Sequence, residues 1–503
     1  MNLYPFSIIT AVALISAPVA LAQTPATLSG TAANNAALAN AAITVCDSAG
    51  VKKSTTTNAQ GAYSVDVSGM TAPIVVGAAK DSLQFASLLG TLKGGANTAN
   101  VNPLTDKIAS DVATDDMHLK GTVQLIAACK PSAATTEEIQ KSTAELRANI
   151  ADALGAAGAS NVASFDPVSA SSAADTAALS KVLAQIRHNR EGYSNGSANE
   201  LGETILYDRD MFEIRATNKL DPALKPWSAY GKRIFIAGDS TASNYNKEEL
   251  PRMGWGEVFN RMVKPGADVK VVNVAESGRS SRSYITEGWF DWIAQEIKPG
   301  DYLLVQFGHN DEKCEKTGSI DWTFRCTYPN DASGTPRFPE GKPDMSFQKS
   351  LEKYVKLAKD HGAIPVLITP TSRINQDKAI GKSAGKFPIT ASTHITTKGD
   401  YPGNYSQTVI DTAKANNVAV VDLDAKTMAF MNSKGEPGWK DYHLAVKDFV
   451  KYPFYKDPSV TGNYENPDRT HYQENGAVAV AGLVVEGIKA DPARLQPLID
   501  VLK

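Results

Sequence analysis

Ser240 stands where the character of the chain changes abruptly. The apolar, β-prone residues 234–237 (IFIA) end at Gly238-Asp239-Ser240, and a polar segment follows. A serine hydroxyl is a weak nucleophile until an adjacent base takes its proton. The motif therefore predicts either an ordinary strand-to-helix turn or a nucleophile at the edge of a sheet, and other segments must decide between the two.

Three further polar segments occur later in the chain, two of them after apolar runs and the last just before the final predicted helix. "NVAESGRSSRSY" contains Gly278, "GHND" contains Asn310, and "PDRTHYQENGA" contains Asp468 and His471. Taken singly, these are a solvated basic loop, a capped helix start and a surface capping pair. Their order and their places in the predicted topology indicate one shared site, because the ordinary explanations would require independent coincidences.

The apolar runs are the elements that must position these residues. "RIFIAGD", "VKVVNVAE", "YLLVQFG", "IPVLITP" and "VAVVDLD" are short, nearly continuous in hydrophobicity, and separated by helical patterns. Such runs are typical of parallel strands that are buried on both faces. We expect an α/β fold with a doubly wound, five-stranded parallel sheet flanked by helices. Ligands of such sheets bind at the carboxyl ends of the strands, which is where Ser240 falls.

The four motifs resemble those of the SGNH (GDSL-type) hydrolase superfamily, whose blocks contribute Ser, Gly, Asn and His. The resemblance covers about residues 232–490. The motifs "GDST", "GRSSRSY", "QFGHND" and D-x-T-H most resemble those of the rhamnogalacturonan acetylesterases, carbohydrate esterase family twelve. These enzymes remove acetyl groups from pectic polysaccharides. The resemblance implies a Ser-His-Asp mechanism with three donors in the oxyanion hole.

The residue types support the same chemistry. Of the seven histidines, His471 has a carboxylate three residues earlier on a turn that enters a helix. Asp468 could bind its Nδ1–H and leave Nε2 to take the proton of Ser240. The expected oxyanion donors are the backbone N–H groups of Ser240 and Gly278 and the side-chain amide of Asn310.

Two arginines lie beside the oxyanion-hole glycine. Guanidinium groups suit carboxylates, so Arg279 and Arg282 are candidates for reading a uronate next to the acetylated hydroxyl. Internal pairing of Arg279 with Glu276 or Asp291 is the alternative. The candidates for stacking on sugar faces are Tyr245, Trp255, Tyr284 and Trp289.

The preceding residues divide into three predicted regions. Residues 23–101 show short alternating runs between Gly, Asn and Ser, and resemble the small β-sandwich modules related to carboxypeptidase regulatory domains. Residues 102–190 read as a helical region, in which "TTEE" predicts a capped helix start. Residues 191–229 read as a linker, and residues 230–503 as the esterase domain.

The beginning of the chain and its cysteines indicate export. The apolar run of residues 1–22 ends in an A-x-A pattern, which predicts a signal peptide cleaved near Ala22 and no retained membrane span. Four cysteines permit three pairings. Cys314 and Cys326 lie in one loop-like segment and are candidates for one disulfide, with Cys46 and Cys129 for the other.

Composition narrows the function classes. A net charge of −3 over 503 residues gives no reason to expect nucleic acid as a partner. No glycine-rich phosphate cradle or metal-ligand cluster is evident, and the expected mechanism needs no cofactor. The leading expectation is a secreted carbohydrate esterase that acts on acetylated plant cell-wall polysaccharide. The alternatives are a lipolytic or thioester-cleaving esterase of the same superfamily, and a non-catalytic surface binding protein.

Overall fold

The computed structural model of the protein describes residues 25–192, 201–317, 320–374, 388–397, 402–457 and 459–503. The predicted signal peptide, residues 1–22, lies outside these ranges. Within them, no helix combines the length and apolar character needed to span a bilayer.

The N-terminal part is a β-sandwich. Its two sheets have the strand orders β4-β1-β7 and β3-β2-β5-β6. Leu28, Val45, Val76 and Phe85 are among the buried side chains that fill the space between them. Tyr63 is also buried there and donates its hydroxyl to the carbonyl of Ala99, so it is not a platform for sugars. The strands are β1 (Ala26–Thr31), β2 (Ala42–Cys46), β3 (Lys52–Thr56), β4 (Ala62–Asp66), β5 (Ile74–Lys80), β6 (Leu83–Leu89) and β7 (Gly95–Thr98).

Five helices follow the sandwich. Thr135 and Glu138 form a reciprocal capping box at the start of the third, as the sequence predicts. The disulfide Cys46–Cys129 ties strand β2 to the end of the second. The helices are α1 (Pro103–Asp111), α2 (Thr122–Ala128), α3 (Thr136–Asn149), α4 (Ala151–Ala157) and α5 (Ala173–Leu183).

The interval 191–229 differs from the expected linker. Strands β8 (Arg187–Gly192) and β9 (Leu201–Tyr207) form an antiparallel pair. Leu206 packs into the core of the helical region, and Trp227 packs into the core of the α/β part. Both faces of β9 are packed, with Leu206 in one core and Tyr207 in the other, but its buried positions include Gly202 and Thr204, so its sequence does not show an apolar pattern.

Residues 232–421 supply the five strands of a parallel sheet, in the order β12-β10-β13-β16-β19. This confirms the predicted doubly wound α/β sheet. The strands of this part are β10 (Lys232–Gly238), β11 (Arg252–Met253), β12 (Val269–Asn273), β13 (Tyr302–Gln306), β14 (Lys316–Thr317), β15 (Ile320–Asp321), β16 (Ile364–Ile368), β17 (Ile395–Thr396), β18 (Gly403–Asn404), β19 (Ala419–Val421) and β20 (Tyr472–Gln473).

Both faces of the sheet are covered by helices. Along β10, Ile234 and Ile236 pack on the face covered by α10 to α12, while Phe235 and Ala237 pack on the face covered by α6 to α9. This double burial explains why the strand reads as an unbroken apolar run. The helices are α6 (Ser281–Thr286), α7 (Trp289–Glu296), α8 (Phe347–Asp360), α9 (Tyr405–Ala415), α10 (Leu423–Gly438), α11 (Glu474–Lys489) and α12 (Pro492–Ile499).

Candidate active site

Three of the polar motifs meet at one edge of the sheet. Ser240 follows β10, Gly278 follows β12, and Asn310 follows β13. Since these three strands are neighbours and parallel, their carboxyl ends lie side by side. The position predicted from the sequence is therefore the position that the fold produces.

The fourth motif reaches this edge through a small sheet. Strand β20 pairs antiparallel with β11, in a register that places Tyr472 opposite Met253. His471 immediately precedes β20, so this pairing fixes it beside the segment that follows Ser240. The backbone carbonyl of His471 also accepts a hydrogen bond from the N–H of Leu444, at 2.9 Å.

Ser240, His471 and Asp468 form a continuous hydrogen-bonded chain. The Oγ of Ser240 lies 2.8 Å from Nε2 of His471, and Nδ1 of His471 lies 2.6 Å from Oδ2 of Asp468. The other oxygen of Asp468 accepts the backbone N–H groups of Thr470 and His471. This arrangement can transfer a proton from the serine to the imidazole.

The electrostatics keep Asp468 ionised. Burial by itself raises the pKa of Asp468, but the neighbouring His471 and the hydrogen bonds to the carboxylate outweigh it and lower the pKa well below its usual range. An ionised Asp468 accepts Nδ1–H of His471, which leaves Nε2 as the acceptor facing Ser240.

Donors that could bind an oxyanion lie at the same edge of the sheet as Ser240. Within the described residues, no acceptor pairs with the backbone N–H of Ser240 or of Gly278. The φ of Gly278 is +79°, a left-handed conformation that favours glycine. Asn310 donates one amide hydrogen to the carbonyl of Arg279, at 3.0 Å, which places this amide beside the Gly278 turn.

A lysine that the sequence analysis missed orients the amide of Asn310. Nζ of Lys313 donates to Oδ1 of Asn310 at 2.8 Å, so the amide nitrogen faces the opposite way. Burial and the neighbouring guanidinium groups of Arg325 and Arg373 lower the pKa of Lys313 to about 8. The only indication of this contact in the sequence is that Lys313 follows Asn310 by three residues in the same turn.

The buried side chains of Asp239 and His309 join the motif of Ser240 to the motif of Asn310. Asp239 accepts Thr241 N–H and its hydroxyl at one oxygen, and contacts Nδ1 of His309 at 3.1 Å with the other. Burial lowers the pKa of His309 to about 4 despite the nearby Asp239, so the ring is neutral at pH 7 and donates Nδ1–H. Asp239 and His309 precede Ser240 and Asn310 directly, and their contact joins the two motifs.

A second buried network links the loops that follow β13 and β16. Glu312 binds Nη1 of Arg373 at 3.0 Å and contacts Nδ1 of His394. Burial by itself would lower the pKa of His394, but the neighbouring Glu312 raises it. Nε2 of His394 donates to the carbonyl of Thr371 at 2.7 Å. No local pattern reveals this network, because its members are far apart in sequence.

The two arginines proposed to read a uronate are engaged within the protein. Arg279 is buried and pairs with Glu287 at 2.7 Å and with Glu276 at 3.4 Å, which is the internal alternative. Arg282 pairs with Asp344 at 2.6 Å. The structure therefore does not support the prediction that these side chains bind substrate.

The prediction that Trp255 and Tyr284 stack on sugar faces is wrong. Both are fully buried. Trp255 donates Nε1–H to Gln306, and Tyr284 donates its hydroxyl to the carbonyl of Val274. Aromatic side chains with one polar atom fill cores well when that atom finds a partner, and a sequence pattern does not separate this use from sugar stacking.

The remaining sequence-predicted features concern disulfides and metals. Cys314–Cys326 is a disulfide in the loop after Asn310, and Cys46–Cys129 is the second. In the parts of the chain that the structure describes, no three His, Cys, Asp or Glu side chains are grouped to hold a metal ion.

Comparison with known proteins agrees with this fold. Residues 234–484 match the GDSL-like lipase/acylhydrolase family, and the chain belongs to that family. It is therefore a carboxylic ester hydrolase.

Two relatives come from Bacillus subtilis (strain 168). The rhamnogalacturonan acetylesterase RhgT is 33% identical over 257 residues, which cover 51% of this chain and 89% of that protein. The probable rhamnogalacturonan acetylesterase YesY is 28% identical and covers 51% of this chain and 92% of its own length. Among solved structures, the protein YxiM of Bacillus subtilis covers 62% of this chain and 76% of its own, at 20% identity and a TM-score of 0.36.

Proposed function

We propose that this protein is an exported carbohydrate esterase that removes O-acetyl groups from pectic polysaccharide, with Ser240 as nucleophile. The observation that carries the proposal is the chain of contacts from Ser240 through His471 to Asp468, at 2.8 and 2.6 Å. The acetylesterase names of the two relatives support the acetyl group and the polysaccharide. Two disulfides support export, since such bonds persist in oxidising compartments.

The acylation step follows from the geometry. Oγ of Ser240 attacks the acetyl carbonyl carbon while its proton passes to Nε2 of His471, and Asp468 stabilises the imidazolium. The carbonyl oxygen becomes an oxyanion that accepts hydrogen bonds from the backbone N–H groups of Ser240 and Gly278 and from the free amide hydrogen of Asn310. The sugar oxygen then leaves with the proton of the imidazolium, and acetyl-Ser240 remains.

Deacylation reverses these roles with water. Nε2 of His471 takes a proton from a water molecule, which attacks the acetyl carbonyl carbon. The resulting tetrahedral oxyanion uses the same donors. When the bond to Oγ of Ser240 breaks, the imidazolium returns its proton to the serine, and acetic acid is released.

The test measures acetate release from acetylated rhamnogalacturonan and compares aryl acetate with aryl octanoate. We expect hydrolysis of the acetates, little activity on the octanoate, and loss of both acetate activities in Ser240→Ala and His471→Gln. His361→Gln is the matched control, because His361 follows α8 near the opposite edge of the sheet.

Each alternative has its own outcome in this experiment. Preference for octanoate would identify a lipolytic or thioester-cleaving esterase instead. Absence of Ser240-dependent activity on every ester would leave a non-catalytic binding protein, and the proposed mechanism would then be wrong.

A further inference from the structure

A long loop begins and ends at the turn that carries His471. Residues 445–467, here named the rim loop, lie between Leu444 and Asp468. The N–H of Leu444 donates to the carbonyl of His471 at 2.9 Å, and the N–H of Asp468 donates to the carbonyl of Leu444 at 2.8 Å. These bonds close the base of the loop, so the loop projects from the edge of the site beside His471.

Buried side chains in and next to the rim loop anchor it to the rest of the protein. Leu444, Val446 and Tyr455 form a small apolar cluster of their own. The hydroxyl of Tyr455 donates to the carbonyl of Glu249, in the segment that follows Ser240, at 2.7 Å. Burial raises the pKa of Tyr455, and Asp468 is close enough to add to this effect.

The outer part of the rim loop exposes apolar side chains. Val450 is 96% exposed, Phe454 50% and Phe449 37%. In the described ranges the only other large hydrophobic side chain of comparable exposure is Val51, in the N-terminal part. Exposed apolar residues that are scattered singly need no explanation, but three within six residues indicate a contact surface.

The same stretch carries three exposed lysines, Lys447, Lys451 and Lys456, and two exposed acids, Asp448 and Asp457. The carboxylate of Asp448 accepts the backbone N–H groups of Val450 and Lys451, so its oxygens shape the turn. The chain as a whole has a net charge of −3, whereas residues 447–457 carry one more lysine than acids.

We propose that the outer rim loop, with Phe449, Val450, Phe454 and the three lysines, is a binding subsite for the polyuronate chain on either side of the acetylated sugar. The inference rests on the proposed function and adds to it a surface beyond the reacting ester. Aromatic rings pack against the apolar faces of sugars, and lysines attract the regularly repeated carboxylates of a polyuronate. A second copy of the chain is a poorer occupant, because three side chains fall far short of the roughly 800 Å² per partner that a stable interface buries.

The binding test uses the full-length Ser240→Ala protein, so that no reaction accompanies it. The probes are polygalacturonate and, as a neutral comparison, dextran, in affinity electrophoresis. We expect Phe449→Ser with Phe454→Ser to weaken binding of polygalacturonate about tenfold, because each ring contributes stacking. Replacing the three lysines by glutamine should weaken it and remove most of its salt dependence. Val51→Ser is the matched control and should bind like the parent.

The kinetic test places the same substitutions in the active protein. We expect KM for acetylated rhamnogalacturonan to rise about tenfold, while kcat/KM for aryl acetate stays within twofold of the parent. Equal losses on both substrates would mean that the substitutions disturb the catalytic turn, and unchanged binding of polygalacturonate would also overturn the proposal.

Other occupants give distinct results. If the molecular mass in solution rises with protein concentration, and Phe454→Ser abolishes this rise, the surface binds a second copy of the chain. If the protein binds phosphatidylglycerol vesicles but not polygalacturonate, the surface binds lipid. Either result overturns the subsite. If polygalacturonate binds through the rim loop but no Ser240-dependent acetate is released from the polymer, the proposed function fails and the subsite stands.

Discussion

The contact between Lys313 and Asn310 predicts a specific kinetic effect. Nζ of Lys313 donates to Oδ1 of Asn310 at 2.8 Å, and Nδ2 of Asn310 donates to the carbonyl of Arg279 at 3.0 Å. Together these bonds determine where the second amide hydrogen points. Replacement of the lysine by methionine keeps a long apolar stem and removes the donor, so we expect a loss of oxyanion stabilisation without unfolding.

The magnitude follows from the kind of bond. A hydrogen bond from a charged donor contributes about 1.5–3 kcal/mol, and about 1.36 kcal/mol corresponds to a factor of ten in rate. Lys313→Met should therefore lower kcat/KM for aryl acetate about 10- to 100-fold. Asn310→Ala removes the donor itself and should cost about 10²–10³. Lys356→Met, on the exposed side of α8, is the matched control and should leave the rate unchanged.

The double variant tests whether the lysine acts through the asparagine. If it does, Lys313→Met should have little further effect in the Asn310→Ala background, because the amide that it orients is gone. Independent effects that multiply in the double variant would refute the reasoning.

The pH profile provides a second readout that a merely structural role would not move. Burial and the positive charges of Arg325 and Arg373 lower the pKa of Lys313 to about 8, while Asp239 and Glu312 oppose them. The ammonium form predominates below that pKa, and the neutral amine is a weaker donor. Activity should fall as pH rises through about 8, after subtraction of spontaneous hydrolysis, and this limb should be absent in Lys313→Met.

Three further predictions concern catalysis and stability. Asp468→Asn should lower kcat for aryl acetate about 10²- to 10⁴-fold with little change in KM, because the imidazolium loses its counter-charge; a loss below tenfold would contradict the proposed role. Glu312→Gln should lower the free energy of unfolding in urea at pH 7 by about 3–5 kcal/mol, because it leaves Arg373 without its buried carboxylate. Arg373 and His394 overcome the effect of burial and lower the pKa of Glu312 from 4.5 to about 2, so its contribution is present above pH 4.5 and is lost as pH falls towards 2, where variant and parent should converge. Replacing Cys314 and Cys326 together by serine should cost about 3 kcal/mol of unfolding free energy, from the entropy of a short closed loop; unchanged urea midpoints would refute either stability prediction.

The sequence predicted the α/β sheet and placed Ser240 at its carboxyl edge for a local reason. Residues 234–237 read as a buried strand because both of their faces are covered, and the motif after them then had to lie at the carboxyl edge. Asp468 and His471 are separated by three residues, so a local turn suffices to bring their side chains together. The N-terminal strands and the capping box of α3 are local signals of the same kind.

The linker predicted over residues 191–229 shows where local reading fails. Strand β9 packs on both faces, but it contains Gly202, Glu203 and Thr204, so its apolar pattern is too weak to predict a strand. For the aromatic residues the sequence instead suggested a functional role that the structure does not support. Trp255 and Tyr284 are residue types that often stack on sugars, yet both lie in the core and their polar atoms have hydrogen-bond partners within the protein.

What the sequence by itself determined is the set of short-range features: the buried strands, the turns after them, and the residue types in those turns. What only the tertiary structure decided is which distant groups share a charge environment. Arg279 could face substrate or an internal carboxylate, and Lys313 could face solvent or Asn310; the fold selects the second of each. The physical reason is that ion pairs and hydrogen bonds act over a few ångströms of space, and residues far apart in the chain come that close only after the sheet and its loops have assembled.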